Sequence, residues 1–548
     1  MMKLRALFCR RIKLLEKWRS SRNPKHYCVY LATEDPLYRY MLAMLIKKNI
    51  NKHQDSKHLL VPQFGIRLWE NPKSKYPLWL KKTVLFLRYC SLERNNTGNM
   101  VKDVKTWLNK DDAGTLDIVS YPNWLYFLIR EYIKSIFVKD KYTKFADVSS
   151  LISSFESNLG HFNGDLVADT FIRYRGKPWV NLESDFLKDI IIRHFALEKF
   201  WSVLFNNKNG YFFAQFSTYI HHGVPLRTAV SKGYKAATFA YSSSFFKTHI
   251  LQHPWGPQNY PRHVADHSKY VATNSKLLNA QTLDKARKNL ENRCSGIYDN
   301  SMSYMKDMRG LTGNTFTNYQ ANYMSDINDH VLILLHDFFD SAHVYEWMIF
   351  DDFWDWITST LKYCKQKNLK VAIKPHPNEI PESKQYSELL FNCLSYMGSE
   401  VKRVPTDIPN NVLFQMSPSV ITTVYGSVAA EAAFCGLTAV LAGDHPAINF
   451  DFCTTATTRA EYFDLLLNPP RTQDQNKLKM NASLFVAQHY KSHLENEGNS
   501  LRSRFNIKTK DLKALHKKLT KADVKHYCDS QLQKLLDALE MPVEGEDN

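Results

Sequence analysis

The chain predicts an α/β protein built on parallel sheets, and three stretches carry that expectation. The first is Val420–Val424, an apolar run that passes through Tyr425-Gly426-Ser427 into an alanine-rich helix, Val428–Cys435. Gly436 stops the helix, and Thr438–Leu441 reads as the next strand. The second is Phe212–Tyr241, which reads as a strand, a turn at His221-His222-Gly223, a helix Pro225–Ser231, Gly233 past its end, and a strand Ala236–Phe239. The third is Asp329–Leu335 (DHVLILL), a continuous apolar run of the kind buried on both faces of a parallel sheet. Strand–helix–strand connections this short require parallel neighbours. In such sheets ligands sit beyond the carboxyl ends of the strands.

At 548 residues two domains are expected, and the 44% hydrophobic content is enough to give each a core. The expected divisions are a basic segment at 1–23, domains at 24–315 and 316–475, and a helical segment at 476–548, with Gly310–Asn314 as linker. No apolar run reaches the length of a membrane span, and no secretory signal is expected. The nine cysteines form no C-x-x-C, so buried, reduced thiols and no zinc site are expected. The net charge of +18 attracts polyanions such as nucleic acid, an anionic membrane face or phosphorylated substrates. Its excess gathers at 1–22 and Arg502–Lys525, outside the strand–helix units. Residues 3–19 read as a basic amphipathic helix suited to an anionic membrane surface, or as one packed on the body with its charges in water. No RNA- or DNA-binding motif accompanies these runs, so a nucleic-acid partner is not expected.

In chain order, His26–Ala32 reads as the first strand, followed by Glu34-Asp35-Pro36 and a helix Leu37–Lys47. A carboxylate at a strand's carboxyl end faces the cleft, so Asp35 or Glu34 is a candidate general base; capping the helix is the structural alternative. Residues 50–115 read as loops and short elements, Thr115–Ser120 as a strand, Trp124–Phe137 as a helix, Asn163-Gly164-Asp165 as a turn and Phe186–Phe205 as a helix. His221 and His222, at the turn of the second strand–helix unit, are candidates for a base or for holding an acceptor hydroxyl; a surface or capping role is the alternative. Leu277–Asn292 and Phe350–Lys365 read as helices. Asp340 and Ser341 follow the strand Asp329–Leu335 on the ligand side.

Val371–Ile373 ends in Lys374-Pro375-His376-Pro377. His376, in a loop stiffened by two prolines, can donate to an anion, with Lys374 adding charge nearby. The helix starting at Ser427 offers amides and the positive end of its dipole, Gly426 permits close approach, and Ser427 adds a hydroxyl. Glu431, one turn on, can accept from ribose hydroxyls. Phosphate beside ribose describes a nucleotide-activated donor. No G-x-x-x-x-G-K-[ST] or strand-linked G-x-G-x-x-G is present, so P-loop and dinucleotide chemistry are not expected. With no strand-end D-x-D, fixed donors are expected to meet the charge without metal or cofactor.

FFDSAHVYEWMIFDDFWDWITSTLKYCKQKNLKVAIKPHPNE, then TTVYGSVAAEAAFCGLTAVLAG, together with TYIHHGVPLRTAVSKGYKAATF earlier, resembles bacterial capsule and surface-polysaccharide biosynthesis proteins. These look like GT-B glycosyltransferases related to Kdo-transferring capsule enzymes and HP-motif sialyltransferases. The resemblance implies two Rossmann-like domains facing across a cleft, with the donor on the second. His376 and Ser427 would then contact its phosphate and Glu431 its ribose, with Asp340 and Ser341 beside them, and a base from the first domain: Asp35, His221 or His222. It implies a nucleotide-sugar donor, a glycan or glycolipid acceptor, and a cytoplasmic protein peripheral to the inner membrane face. A CDP-polyol phosphotransferase, a nucleotide-sugar 2-epimerase and a non-catalytic or nucleic-acid-binding protein are the alternatives.

Overall fold

The computed structural model describes residues 27–52, 55–64, 94–137, 145–205, 210–239, 246–249, 278–297, 327–396, 401–470, 474–489 and 517–540, apart from the single positions 120, 161, 176, 296, 345, 346, 378, 407, 518 and 520. The expected basic helix at 3–19, the linker Gly310–Asn314 and most of the basic run from Arg502 lie outside them. Among the described residues, twelve strands form two six-stranded sheets. The first comprises β1 (Tyr27–Ala32), β2 (Lys57–Pro62), β3 (Leu116–Ile118), β4 (Gly210–Ala214), β5 (Tyr234–Phe239) and β6 (Phe246–His249). Its order is β3-β2-β1-β4-β5-β6, parallel except for the antiparallel β6. The second comprises β7 (Val331–Leu334), β8 (Val371–Lys374), β9 (Val401–Arg403), β10 (Val420–Thr423), β11 (Ala439–Leu441) and β12 (Cys453–Thr455), in the order β12-β11-β10-β7-β8-β9. Numbered within its own sheet, each order is 3-2-1-4-5-6, that of a Rossmann fold. The two Rossmann-like domains expected of a GT-B protein are therefore present. The order reverses between β1 and β4 in one and between β7 and β10 in the other, and those gaps are where such sheets hold ligands.

The central strands are apolar runs because both faces are covered. β1, YCVYLA, is wholly buried, as is β7, VLIL. The helices that bear on the site and the core are α1 (Pro36–Lys52), α2 (Tyr121–Phe137), α3 (Gly164–Arg175), α4 (Asp185–Leu204), α5 (Tyr219–Ser231), α6 (Ala280–Cys294), α7 (Phe353–Gln366), α8 (Pro381–Tyr396), α9 (Asn410–Gln415), α10 (Val428–Phe434), α11 (Arg459–Leu467), α12 (Gln475–His489) and α13 (Ala522–Glu540). α6, on the N-terminal side of the expected boundary at 315, contributes Ala286 and Leu290 to the core under the second sheet. α13 returns to the first sheet, where Val524, Cys528 and Leu532 pack with α1, and Tyr40 donates to Leu519 O at 2.9 Å.

Three local readings are corrected. Residues 50–115, which read as loops and short elements, hold the short strand β2, paired with β1 so that Val29 lies opposite Leu59, and also a longer helix over 94–107. Asn163-Gly164-Asp165 is not a free turn but the entry to α3. Gly164 is needed because a Cβ there would sit 1.9 Å from Leu151 O. The turn expected at His221-His222-Gly223 is helix: α5 begins at Tyr219, so Pro225 lies inside it. The start escapes the sequence because Thr218 makes no side-chain cap. Thr170 of α3 supplies the acceptor instead, its Oγ1 taking the Ile220 N–H at 2.9 Å. Gly223 is a packing residue, since a Cβ would meet Leu166 at 2.5 Å.

The loop after β7 meets the first domain. Arg173 of α3 donates to Phe339 O at 3.2 Å, and Trp179 packs on Trp354 and Tyr386. Asp169 of α3 and His343 form a buried contact, Oδ1 to Nδ1, at 2.7 Å. Burial pulls the His343 pKa down, but Asp169, with Asp165 and Asp352 behind it, outweighs that and holds it above the ordinary imidazole value. Burial raises the Asp169 pKa, with His343 offsetting part of the rise. Both folded-state values are raised, so both contributions are present in full below the unfolded pKa values and are lost as pH rises through the folded ones. The melting temperature is therefore expected to fall on going from about pH 6.5 into the alkaline range, and to fall less in His343→Gln. Equal pH slopes for the two proteins would remove the pair as the cause.

Candidate functional site

A cavity opens at the carboxyl ends of β7, β8 and β10, at the reversal point of the second sheet. Leu335 and His336 enter it from the end of β7, Lys374 to Pro377 from β8, and Thr423 and Gly426 to Val428 from β10. Glu431 of α10, Asn410 of α9 and Arg293 of α6 complete the wall. His376, Lys374, Gly426, Ser427 and Glu431, far apart in sequence, thus share one space.

Its polar groups form a continuous chain. Lys374 is 5% exposed, and its ammonium donates to Ile408 O at 2.6 Å and Asn410 Oδ1 at 2.7 Å. Asn410 Nδ2 donates to Glu431 Oε2 at 2.6 Å, and Arg293 Nη2 lies 3.1 Å from Glu431 Oε1. Arg293 Nη2 also donates to Ser427 Oγ at 2.7 Å. A buried charge holds its place only when paired and hydrogen-bonded, and this chain does both. It also changes two expected roles: the Lys374 ammonium is anchored in the wall, and Glu431 already receives bonds on both oxygens, so each serves first to position its neighbours.

The start of α10 departs from expectation too. Ala429 N donates to Gly426 O and Ala430 N to Ser427 O, so two amides expected to point outward are used in tight first-turn bonds. Ser427 makes no side-chain cap, and Arg293 holds its hydroxyl instead. Gly426 serves close packing, because a Cβ would lie 2.9 Å from Thr423 Oγ1. Anion binding here therefore falls mainly to three side chains: Arg293, Ser427 and His376.

His336 is neutral. Burial, with His376 and His445 nearby, lowers its pKa to about 3. Its Nε2 takes the Tyr425 N–H at 3.3 Å and the Thr423 hydroxyl at 3.1 Å, which leaves the hydrogen on Nδ1. The ring stacks on Phe353 with centroids 4.5 Å apart.

The remaining expected site residues do not line this cavity. Asp340 Oδ1 accepts from Ser341 N at 3.0 Å, and the pair sits at the junction with Arg173 and Tyr219 of the first domain. Asp35 caps α1, its Oδ1 accepting from Leu37 N at 2.8 Å and Tyr38 N at 3.1 Å. His221 and His222 are buried at 4% and 5% exposure. Burial lowers the His221 pKa to about 3, a poor value for a base at neutral pH, and Gln63 Nε2 contacts His222 Nε2 at 3.0 Å. Glu34, beside Asp35 at the end of β1, is exposed and accepts from Asn96 Nδ2 at 2.9 Å. Tyr219, between the domains, holds a left-handed backbone at φ 61°.

Sequence reasoning missed Arg293 and Asn410. Neither sits in a local motif; each reaches the cavity by chain return alone.

No protein-family model matches the chain, and no curated protein matches it. Among solved structures it is similar to the KpsC β-Kdo 2,4-transferase of Thermosulfurimonas dismutans, at 14% identity over 50% of this chain and 78% of that one, with a TM-score of 0.26. It is also similar to Anabaena Alr3699/HepE in complex with UDP-glucose, at 11% identity over 86% and 97% of the two chains and a TM-score of 0.27. A Rickettsia africae glycosyltransferase is 8% identical over 87% and 97%, with a TM-score of 0.25. Likeness at this level decides nothing about chemistry, which rests on the cavity.

Proposed function

We propose that the chain is a glycosyltransferase of capsule or surface-polysaccharide biosynthesis, moving a sugar from a nucleotide-activated donor to a hydroxyl of a glycan or glycolipid. The observation that carries this reading is the convergence of His376, Ser427 and Arg293 on one cavity at the reversal point of a Rossmann sheet. Such a gap takes a nucleotide, and the Arg293 guanidinium suits a phosphate. In this reading His376 and the Arg293 guanidinium bond the donor phosphate. Ser427, oriented by Arg293, adds a hydroxyl, and Glu431 borders the ribose while it fixes Arg293. As the sugar–phosphate bond breaks, negative charge grows on the leaving phosphate, and these fixed donors stabilise it without reorganising. Across the cleft, Glu34 takes the proton from the acceptor hydroxyl as that oxygen bonds the sugar. The basic termini would hold the protein on an anionic membrane face, where a lipid-linked acceptor resides. Among the described residues no helix is long and apolar enough to cross a membrane.

A thermal-shift panel of CMP-, UDP-, GDP- and CDP-linked sugars tests the donor class. One nucleotide is expected to raise the melting temperature, and His376→Ala to weaken its binding roughly ten- to hundredfold, the worth of a charge-assisted hydrogen bond. No shift with any nucleotide would refute the reading; a full shift in His376→Ala would take that imidazole out of the site.

A further inference from the structure

Cys294 is the last residue of α6, and Cys435 follows the end of α10. Their sulfurs are 3.6 Å apart, and Cys294 Sγ also contacts Glu431 O at 3.6 Å. Cys294 is buried, whereas Cys435 is half-buried. The sulfur–sulfur contact with Cys294 draws the Cys435 thiol below its ordinary value, which favours the reactive thiolate. Each cysteine adjoins the donor cavity. Arg293 precedes Cys294 in the chain, and Cys435 N donates to Glu431 O at 3.1 Å. The Arg293 bonds to Ser427 and Glu431 therefore span the same two helices as the sulfur pair.

We propose that Cys294 and Cys435 form a reversible disulfide that loosens the donor cavity under oxidation. The oxidant is a peroxide. The Cys435 thiolate attacks one peroxide oxygen, the O–O bond breaks, hydroxide leaves and a sulfenic acid forms. Cys294, losing its proton, attacks the Cys435 sulfur; the S–O bond breaks and water leaves with that proton. Two thiols and one hydrogen peroxide give one disulfide and two waters, the dithiol giving up the two electrons that the peroxide accepts. A disulfide holds its sulfurs at about 2.05 Å, so the helix ends must close by roughly 1.5 Å or turn their side chains to do so. Arg293 moves with Cys294, and its contact with Ser427, now 2.7 Å, is sensitive to such a shift. Misplacement on the order of 1 Å is enough to cost a site about a hundredfold.

Bond formation stands on geometry alone, while its effect on donor binding rests on the function proposed above. The full-length protein is treated with hydrogen peroxide, digested without reductant and mapped by mass spectrometry. The expected result is a peptide joining Cys294 to Cys435, two hydrogens lighter than the separate pair and released by dithiothreitol. Amide exchange across 420–436 is expected to rise in the oxidised protein, and the nucleotide with the largest thermal shift to bind at least ~10-fold more weakly. Cys435→Ser should show neither change after peroxide. Absence of the joined peptide, or a joined peptide with unchanged exchange, overturns the proposal. If no nucleotide binds even the reduced protein, the donor reading fails, and mapping and exchange still decide the switch.

Discussion

Arg293→Met is expected to lose the donor nucleotide by about a hundredfold in affinity and to destabilise the second domain by ~3–5 kcal/mol. The two losses have different causes. In the proposed reading the guanidinium donates to the phosphate from the cavity wall, and it orients the Ser427 hydroxyl at 2.7 Å. It is also the ion-pair partner of Glu431 at 3.1 Å, both side chains being 5% exposed. Removing the cation strands a carboxylate with only amide donation from Asn410 to replace it. The double variant Arg293→Met/Glu431→Gln relieves the stranded charge and should recover most of the stability without recovering the affinity. Denaturation midpoints and nucleotide titrations separate the terms. A double variant that binds as tightly as the parent protein would show that Arg293 serves only to neutralise Glu431.

Glu34→Gln is expected to lower turnover by about 10²–10⁴, with the donor KM and the melting temperature little changed. Glu34 and Asp35 are adjacent, but the structure gives them different work. Asp35 takes the first amides of α1, so Asp35→Ala should cost about 1 kcal/mol of stability and leave turnover largely intact. Glu34 is exposed just past the end of β1, at the reversal point of the first sheet, and the proposed reading makes it the base. Steady-state kinetics of the two variants decide the matter. Turnover lost in Asp35→Ala and kept in Glu34→Gln would reverse the assignment.

Much of the second domain was legible because its signals are local. β7 and β10 are apolar runs that end in polar turns, and Gly436 closes α10 with φ 86°, a conformation that explains a glycine there. The same holds for Gly233 after α5 at φ 83°. His376 between two prolines announced a stiff loop, and the cavity includes it. What was not legible depends on contacts between distant segments. The start of α5 was misplaced because its cap is Thr170, on another helix. Lys374 and Glu431 read as ligands because the sequence does not reveal Asn410 between them. Arg293 lies at the end of an ordinary polar helix, and only the return of α6 to the second sheet brings it to Ser427.

The most direct measurement is a crystal structure with the nucleotide that gives the largest thermal shift. The expected density places a phosphate within hydrogen-bonding reach of the His376 ring, the Arg293 guanidinium and the Ser427 hydroxyl together, with the ribose toward Glu431. A nucleotide bound elsewhere, or a phosphate that touches none of those three groups, would contradict the account.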